Sequence, residues 1–391
     1  MEFDLHQYDD FRAEVEAWCR SKHPSGVFPP RRGDEPRQRR IAETRILQRE
    51  LGERGWLCGG WPAEFGGGAW PKVKQAVFNE IAAYRGIPGT GRDNVGVSTI
   101  GPTIMIYGSD QQRDFFLPRI AHGEIGWAQG YSEPDAGSDL ASLRTRAVAD
   151  GDELVINGAK IWNHSQYVDY IFLLTRTDPD VPKHKGITQL ILPRQTPGIT
   201  IQPILDAYGQ ERWTLLTLED VRLPRSAVIG ELNRGWYQTA TSLDFERSQM
   251  AYVGTARRSL ETIVRAASGG GQPLTPFLRD RIAELAVQLE GARWLSYRVA
   301  YLQDQGLAQT PEFSRAASMS KVWACETQQR IQRFGVELGG PLGLLSAGSE
   351  WATLDGLFDE DYWAAPGITF AGGTSEIQRN VIATRGLGLP R

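Results

Sequence analysis

The segment AGGTSEIQR, residues 371–379, has the composition of a ligand-binding loop that leads into a helix. Its two glycines, Gly372 and Gly373, allow the backbone to approach a bound group closely. Thr374 and Ser375 are suited to cap the following helix, whose first N–H groups attract phosphate or carbonyl oxygens. The glycines supply no acid, base or nucleophile, so the residue that does the chemistry is expected elsewhere in the chain.

A second candidate loop is GYSEPDAGSDLASLRT, residues 130–145. A Ser-Glu-Pro turn leads into small residues, whose hydroxyl and backbone N–H groups are able to bind carbonyl or phosphate oxygens. Alone, such a segment is equally consistent with an ordinary surface loop. The functional interpretation gains weight from NGAKIW (157–162), LDFER (243–247) and GGTSEIQR (372–379), which follow it in that order.

Together these four segments resemble the acyl-CoA dehydrogenase family over essentially the whole chain. The family pattern is T/S-E-P-x-A-G-S-D, N-G-x-K-x-W, L-x-x-x-R and G-T-x-x-I-Q-R, and this sequence matches each part. The resemblance implies that FAD is held between a β domain and a C-terminal helical bundle. It also implies oxidation of an acyl thioester to the α,β-enoyl thioester, with electron-transfer flavoprotein or a similar acceptor as the redox partner.

That reaction makes specific demands on a site. The α C–H of a thioester is a very weak acid, so its removal needs a dry pocket, a carboxylate base and hydrogen bonds to the carbonyl oxygen. The β-hydride needs an acceptor alongside, which a flavin supplies.

The resemblance assigns one group of residues to FAD and another to the thioester. The FAD group is Tyr131, Ser132, Gly137 and Ser138 near the isoalloxazine and pyrophosphate, Trp162 and His164 against the flavin, and Thr374 and Glu376 toward the dinucleotide. The thioester group is Ser138, Asp244 and Arg247 toward the acyl carrier, and the backbone N–H of Gly372 on the thioester carbonyl. An ordinary helix salt bridge is the alternative for Arg247.

The resemblance also indicates which residue is the base. Most members of the family carry a catalytic glutamate just before the G-T pair, where this chain has Gly372. A minority carry it on a helix, immediately before the motif arginine, which corresponds to Glu246. We therefore expect Glu246 to be the general base, with a pKa raised by desolvation. A carboxylate placed at Gly372 is expected to replace part of its function, and a surface Glu paired with an Arg is the alternative.

Two family motifs are altered in ways that bear on assembly. The usual R-x-x-F-G, by which one subunit contacts a neighbour's FAD, is Arg265-Ala-Ala-Ser-Gly here, and the glutamine of Q-x-x-G-G is replaced by Val336. Family members are usually tetramers with FAD at a subunit interface. Two assemblies stay open: a homotetramer, and an α2β2 complex with a related subunit.

Two further functions stay open for a chain with these motifs. The same fold carries flavin monooxygenases and N-hydroxylases, and a chain of this kind is able to serve as a non-catalytic partner subunit. The acyl group is not specified by the sequence. The two loops look closest to actinobacterial dehydrogenases of sterol side chains, which favours a bulky or branched acyl-CoA, and a carrier-protein thioester is the alternative.

The elements that must position these residues are mainly helical with a central β domain. The patterns predict an N-terminal helical domain (1–126), a middle antiparallel β-barrel (127–232) and a C-terminal four-helix bundle (233–391), an acyl-CoA dehydrogenase-like arrangement. Apolar residues at helical spacing predict helices over 41–56, 73–86 and 280–303. The Asn157-Gly158 pair predicts a hairpin turn within residues 152–162.

Bulk properties exclude several classes of protein. The net charge of the 391 residues is −4, which gives no attraction to nucleic acid or anionic membrane. No long apolar run predicts a membrane span, no signal peptide is recognisable, and the histidines lack metal-ligand spacing. Three widely spaced cysteines predict buried thiols rather than disulfides, and they favour a cytoplasmic location.

Overall fold

The chain combines an N-terminal helical part, a central β-sheet and a C-terminal helical part. This computed structural model describes residues 4–23, 25, 37–90, 94–207, 209–244, 248–268, 274–346 and 348–390, without the side chains of 37–40, 240–244 and 355. The three-part order along the chain confirms the predicted fold class in outline. The predicted domain boundaries at 126 and 232 stay predictions.

Among the described residues, five α-helices precede the sheet. They are α1 (Asp9–Ser21), α2 (Arg37–Glu53), α3 (Lys72–Tyr84), α4 (Gly101–Tyr107) and α5 (Asp110–Ala121). A π-helical turn, Gly96–Ile100, leads directly into α4. The helix expected at 73–86 is therefore confirmed, and the one expected at 41–56 begins earlier and ends at Glu53.

In the described part of the chain after the sheet, there are six α-helices. They are α6 (Gly235–Asp244), α7 (Met250–Ser268), α8 (Pro276–Asp304), α9 (Pro311–Leu338), α10 (Leu357–Phe370) and α11 (Ser375–Val381). The two longest start in the same way: Thr275 and Thr310 each cap the helix through a side-chain oxygen, and a proline follows at the first helical position. The helix predicted over 280–303 is α8, whose buried Leu285, Leu289 and Leu302 lie on one stripe.

Seven strands within the described ranges form one sheet. They are β1 (Trp127–Gly130), β2 (Arg146–Asp150), β3 (Glu153–Asn163), β4 (Tyr170–Arg176), β5 (Ile187–Pro193), β6 (Ile199–Leu205) and β7 (Glu211–Pro224). The pairing order is β1-β4-β2-β3-β7-β6, with β5 antiparallel to β4. The order ends at β6, which carries Pro203, and β1 pairs with β4 in parallel. The predicted antiparallel β-barrel is thus corrected to a half-barrel of mixed pairing.

The predicted hairpin turn is also corrected. Asp150 pairs with Glu153, so the turn between β2 and β3 lies at residues 151–152, and β3 continues through Asn157 and Gly158. At Gly158 the register with β7 shifts, and φ is 152°. A Cβ there would lie 2.6 Å from the backbone of Thr145. The glycine therefore marks a β-bulge with a close backbone contact, not a turn.

Backbone contacts divide the chain into two compact units. One comprises the described residues of Met1–Pro36, Trp70–Thr90 and Arg247–Arg391, and the other those of Arg37–Ala69 and Gly91–Glu246. The first contains α1, α3 and α7–α11, and the second contains the whole sheet with α2 and α4–α6. The core of the second unit includes a group of aliphatic strand residues, among them Leu154, Ile156, Ile171, Leu173 and Leu216.

The cysteines are buried, as expected. Cys19, Cys58 and Cys325 are free thiols. Burial raises the pKa of Cys19 and of Cys58 to about 12, so both remain protonated and unreactive at neutral pH. Within the described ranges, no helix has the length and apolar character needed to cross a lipid bilayer.

Candidate active site

A buried ion pair fixes the loop after β1 to strand β3. Lys160 Nζ donates to Glu133 Oε1 at 2.8 Å and to the carbonyl of Tyr131 at 3.1 Å. The Glu133 carboxylate also accepts from the backbone N–H groups of Arg144 (2.6 Å) and Thr145 (2.9 Å). Lys160 is 0% and Glu133 8% exposed. The charged residues of two sequence motifs thus form an ion pair. The sequence did not predict this pair, although the lysine and the glutamate are both part of the motifs.

The charges of this pair depend on one another. Burial lowers the pKa of Lys160 to about 8, which the Glu133 charge partly opposes. Burial would raise the pKa of Glu133, but the Lys160 charge and the hydrogen bonds from Lys160, Thr145 and Arg144 hold it below its ordinary value. Both groups are therefore ionised at neutral pH, and the loop is held by a charge-assisted contact.

The same loop presents its tip to solvent. Gly137 and Ser138 are exposed, Ser132 is half-buried, and a Cβ added to Gly137 would meet no atom within 4 Å. The N–H of Ile161 donates to the Ser132 carbonyl at 2.9 Å, which places the predicted Ser132 beside the end of β3. The structure thus brings the loop and the β3 motif together.

Trp162, the next residue on β3, has an unusual backbone. Its φ is 62°, in the left-handed region, and the register with β7 shifts between Ile161 and Asn163. The Asn163 carboxamide oxygen accepts from Ser165 Oγ and Thr214 Oγ1, both at 2.5 Å, which anchors the bulge. Trp162 remains 57% exposed. A strained non-glycine residue costs about 1–3 kcal/mol and is typical of functional sites, where it directs a side chain toward a ligand.

His164 is oriented by its neighbours. Its ring stacks on Trp213, with centroids 4.5 Å apart and planes at 25°. Nδ1 lies 2.8 Å from the carbonyl of Arg212, which only accepts, so Nδ1 carries the proton. The ring is exposed at the same end of β3 as Trp162, and its contact with a flavin stays a proposal.

The glycine turn before α11 belongs to the other compact unit. Gly372 and Gly373 both have left-handed φ values, 67° and 89°. Thr374 Oγ1 accepts from the N–H of Ile377 at 3.2 Å and caps α11, as the sequence predicts. Glu376 is exposed, and the hydrogen bonds from its own N–H and from Thr374 lower its pKa. A glutamate at position 372 would have to adopt the left-handed backbone at a cost of about 1–2 kcal/mol. This strain argues against the expectation that a carboxylate at this position replaces part of the function of Glu246.

The remaining predicted site residues are only partly visible. Asp244 is the last residue of α6, but its side chain lies outside the described residues. Glu246 and Arg247 lie outside them entirely. Their assignments as base and carrier-binding residues stay proposals.

Comparison with known proteins accounts for all three parts of the chain. Acyl-CoA dehydrogenase profiles match residues 7–124 (N-terminal domain), 128–221 (middle domain) and 233–387 (C-terminal domain). The chain belongs to the acyl-CoA dehydrogenase family. It is thereby a FAD-dependent oxidoreductase.

Its relatives include a mycobacterial acyl-CoA dehydrogenase (ACAD) and a steroid ACAD. The chain is 36% identical to acyl-CoA dehydrogenase FadE26 of Mycobacterium tuberculosis, over 88% of this chain and 87% of that protein. The solved structure of the steroid ACAD Tcur3481-Tcur3483 has a TM-score of 0.87 and 33% identity, covering 100% of this chain and 99% of that one. The ChsE4-ChsE5 complex from Mycobacterium tuberculosis has a TM-score of 0.84 and 32% identity, covering 100% of both chains.

The residues present fit the cofactor of an acyl-CoA dehydrogenase. The exposed indole of Trp162, on a strained backbone, is the kind of flat apolar surface against which an isoalloxazine stacks, and Ser132 bonds to the preceding residue, Ile161. The exposed tip at Gly137 and Ser138 leaves backbone groups accessible to a pyrophosphate. Which of these residues contacts FAD remains a proposal.

Proposed function

We propose that this acyl-CoA dehydrogenase converts a bulky or branched acyl thioester to its 2-enoyl thioester. The observation that supports this assignment is the turn at Gly372: it has no side chain and a left-handed φ of 67°, so it adds no side-chain volume and supplies a backbone N–H but no base. FAD, when bound, supplies the acceptor for the β-hydride.

The proposed roles divide the reaction between two groups of this chain. Glu246 takes the α-proton, the C–H electron pair becomes the new Cα–Cβ double bond, and the hydride leaves from the β-carbon. The N–H of Gly372 donates to the thioester carbonyl, where negative charge develops as the proton leaves. Ser138, Asp244 and Arg247 hold the acyl carrier, which positions the α-carbon for proton transfer.

The substrate class rests on two features. Gly372 removes the side chain that most family members place beside the acyl chain, and a structural relative is a steroid ACAD. We expect kcat/KM over a panel of linear, branched and steroid CoA thioesters to be highest for the last two. A preference for short straight chains would contradict the proposed specificity for bulky or branched acyl groups. A higher kcat/KM for a carrier-protein thioester than for the CoA thioester of the same acyl group would identify the carrier protein as the natural acyl donor.

The base assignment predicts the behaviour of Glu246→Gln. The variant should bind FAD and thioester normally but lose about 10³-fold in the rate of flavin reduction, because it cannot accept the α-proton. Anaerobic stopped-flow reduction by a substrate thioester measures this rate directly.

Glu231→Gln is the matched control, since Glu231 is an exposed carboxylate before α6. It should retain the wild-type rate. Near-wild-type reduction by Glu246→Gln would place the base elsewhere.

Assembly is a separate proposal. The altered motifs at Arg265 and Val336, together with two structural relatives described as pairs of named chains, favour an α2β2 complex with a related subunit. Light scattering with flavin counting on the chain expressed alone should give fewer than one FAD per chain. A homotetramer with one FAD per chain would contradict the α2β2 assembly.

The same preparations distinguish the dehydrogenase from a non-catalytic subunit and from a flavin monooxygenase. A non-catalytic partner subunit would retain no flavin at all, whereas the proposed dehydrogenase expressed alone should retain some, although less than one FAD per chain. A flavin monooxygenase would yield no enoyl product anaerobically with an artificial electron acceptor. Electron-transfer flavoprotein as acceptor and a cytoplasmic location remain predictions.

A further inference from the structure

Helix α10 ends at the glycine turn that carries the proposed hydrogen-bond donor to the thioester. The Ala371 N–H bonds back to the Gly367 carbonyl at 3.0 Å, and at Ala371 ψ is 140°, which turns the chain out of the helix. If the helix continued, the N–H of Gly372 would donate to the carbonyl of Ile368, four residues earlier. The turn therefore separates two groups that a longer helix would join, the Gly372 N–H and the Ile368 carbonyl.

Lys321, on α9, binds the carbonyl at this helix end. Its Nζ donates to the Ile368 carbonyl and, at 3.1 Å, to Cys325 Sγ, which lies one turn further along α9. The same ammonium group lies 5.8 Å from the centre of the Tyr252 ring on α7. Lys321 is 3% exposed, so its side chain joins α9 to the end of α10 in the interior of the protein.

This contact suits both the lysine and the helix end. The last carbonyls of a helix have no N–H partner within it and carry the negative end of the helix dipole, which attracts a cation. Moving an ammonium group out of water costs several kcal/mol, so close polar contacts are needed to compensate it. The Lys321 contact is therefore a firm, charge-assisted attachment of α10 to α9.

The other side of the glycine turn is attached as well. Gln378 Nε2 on α11 donates to the Gly372 carbonyl at 3.4 Å, and a Cβ added to Gly373 would lie 2.6 Å from the same nitrogen. Arg379 on α11 pairs with Glu326 on α9 at 2.7 Å. The turn thus connects two helices that are both fixed to α9, and all of these residues belong to one compact unit.

We propose that Lys321 is a positioning residue, which fixes the end of α10 through the Ile368 carbonyl and so directs the Gly372 N–H toward the thioester carbonyl. A shift of the turn by about 1 Å would be enough to weaken this donor substantially. The catalytic consequence rests on the proposed function, whereas the attachment of α10 to α9 does not.

The test compares Lys321→Met with wild type in the FAD-loaded protein, because methionine is similar in length but has no donor. Hydrogen exchange of the backbone amides in residues 367–373 should rise about 10-fold or more, the change that loss of one charge-assisted hydrogen bond implies. Flavin reduction should slow about 10- to 100-fold with the thioester Kd within about threefold of wild type, because a displaced donor stabilises the developing negative charge less well.

A spectroscopic measurement separates positioning from a purely structural role. The probe is the 2-enoyl-CoA product of the most active thioester in the panel, isotope-labelled at the thioester carbonyl. Its infrared carbonyl band should shift to lower wavenumber on binding to wild type, and this shift should be smaller in Lys321→Met. A lowered melting temperature with an unchanged band and an unchanged rate of flavin reduction would overturn the proposal.

Arg333→Met is the control, because it removes an exposed cation from the same helix. It should leave exchange, flavin reduction and the carbonyl band unchanged. Lys321→Gln is a second variant, should methionine prevent folding. Its shorter side chain keeps N–H donors without the charge, so all three measurements should change in the same direction by smaller factors.

Unchanged exchange of residues 367–373 in the folded variant, or slower flavin reduction with unchanged exchange, would show that Lys321 does not act through the end of α10. Absence of enoyl product with every thioester would refute the proposed function. The exchange data would in that case still decide whether Lys321 holds α10 on α9.

Discussion

Lys160 and Glu133 show how two short motifs depend on each other. Both are buried charged residues. Each forms hydrogen bonds with the other and with backbone groups of the loop after β1. Burying either charge alone would cost several kcal/mol. The two motifs therefore have a structural reason to occur together, independent of any contact with FAD.

This pair predicts a pH-dependent loss of stability in Glu133→Gln. The folded pKa of Glu133 lies below its ordinary value of 4.5, so its stabilising effect is present above pH 4.5 and disappears as the pH falls through the folded pKa. At pH 7 the variant should unfold with a free energy lower by about 3–5 kcal/mol, because Lys160 is left buried without its partner charge.

Urea unfolding between pH 3 and 7 measures the difference from wild type, which should shrink below pH 4.5. Glu153→Gln, a half-exposed carboxylate on the strand that carries Lys160, provides the reference and should change little at any pH. A difference that stays constant across this range would show that the Glu133 charge does not stabilise the loop.

At the scale of elements, local sequence patterns predicted individual helices and strands better than the pairing between strands. Helices α3 and α8 follow from apolar residues at helical spacing. Asn157-Gly158 also carries a strong local turn signal, but the long pairing of β3 with β7 keeps it within a strand as a bulge. The parallel pairing of β1 with β4 joins residues about forty positions apart in the sequence, so no local pattern indicates that the barrel stays open.

The candidate site was also predicted only in part. Family resemblance indicated the loop at Ser132 and the indole of Trp162, because motifs record residue types at fixed spacing, and the residue types alone indicated the cap at Thr374. It did not indicate the Asn163 anchor, since that anchor depends on Thr214, which is distant in the sequence. The base at Glu246 lies outside the described residues and rests on sequence alone.

At the scale of the whole molecule, one buried carboxylate links the two ends of the chain within a single compact unit. Glu80 on α3 is 2% exposed and accepts from Arg293 Nε at 2.7 Å and from Tyr297 OH at 2.5 Å, both on α8. Arg12 on α1 and Arg257 on α7 lie 3.9 and 3.8 Å from the carboxylate. Four helices separated widely in sequence therefore share one negative charge.

We expect Glu80→Gln to lower the free energy of unfolding by about 3 kcal/mol or more, because it leaves several cations around a neutral amide. Urea unfolding at pH 7 provides the measurement, with Glu14→Gln, an exposed residue of α1, as the matched control. Equal stability of the two variants would mean that packing rather than charge holds these helices together.

The half-barrel leaves β6 with one edge that pairs with no strand in its sheet among the described residues. Such an edge is a template onto which a strand of another molecule is able to add, the first step toward amyloid-like assembly. Pro203 interrupts the row of N–H donors in β6, and proline is found mainly in edge strands for this reason. One residue with no contact to the proposed chemistry thus helps to keep the protein from self-association at high concentration.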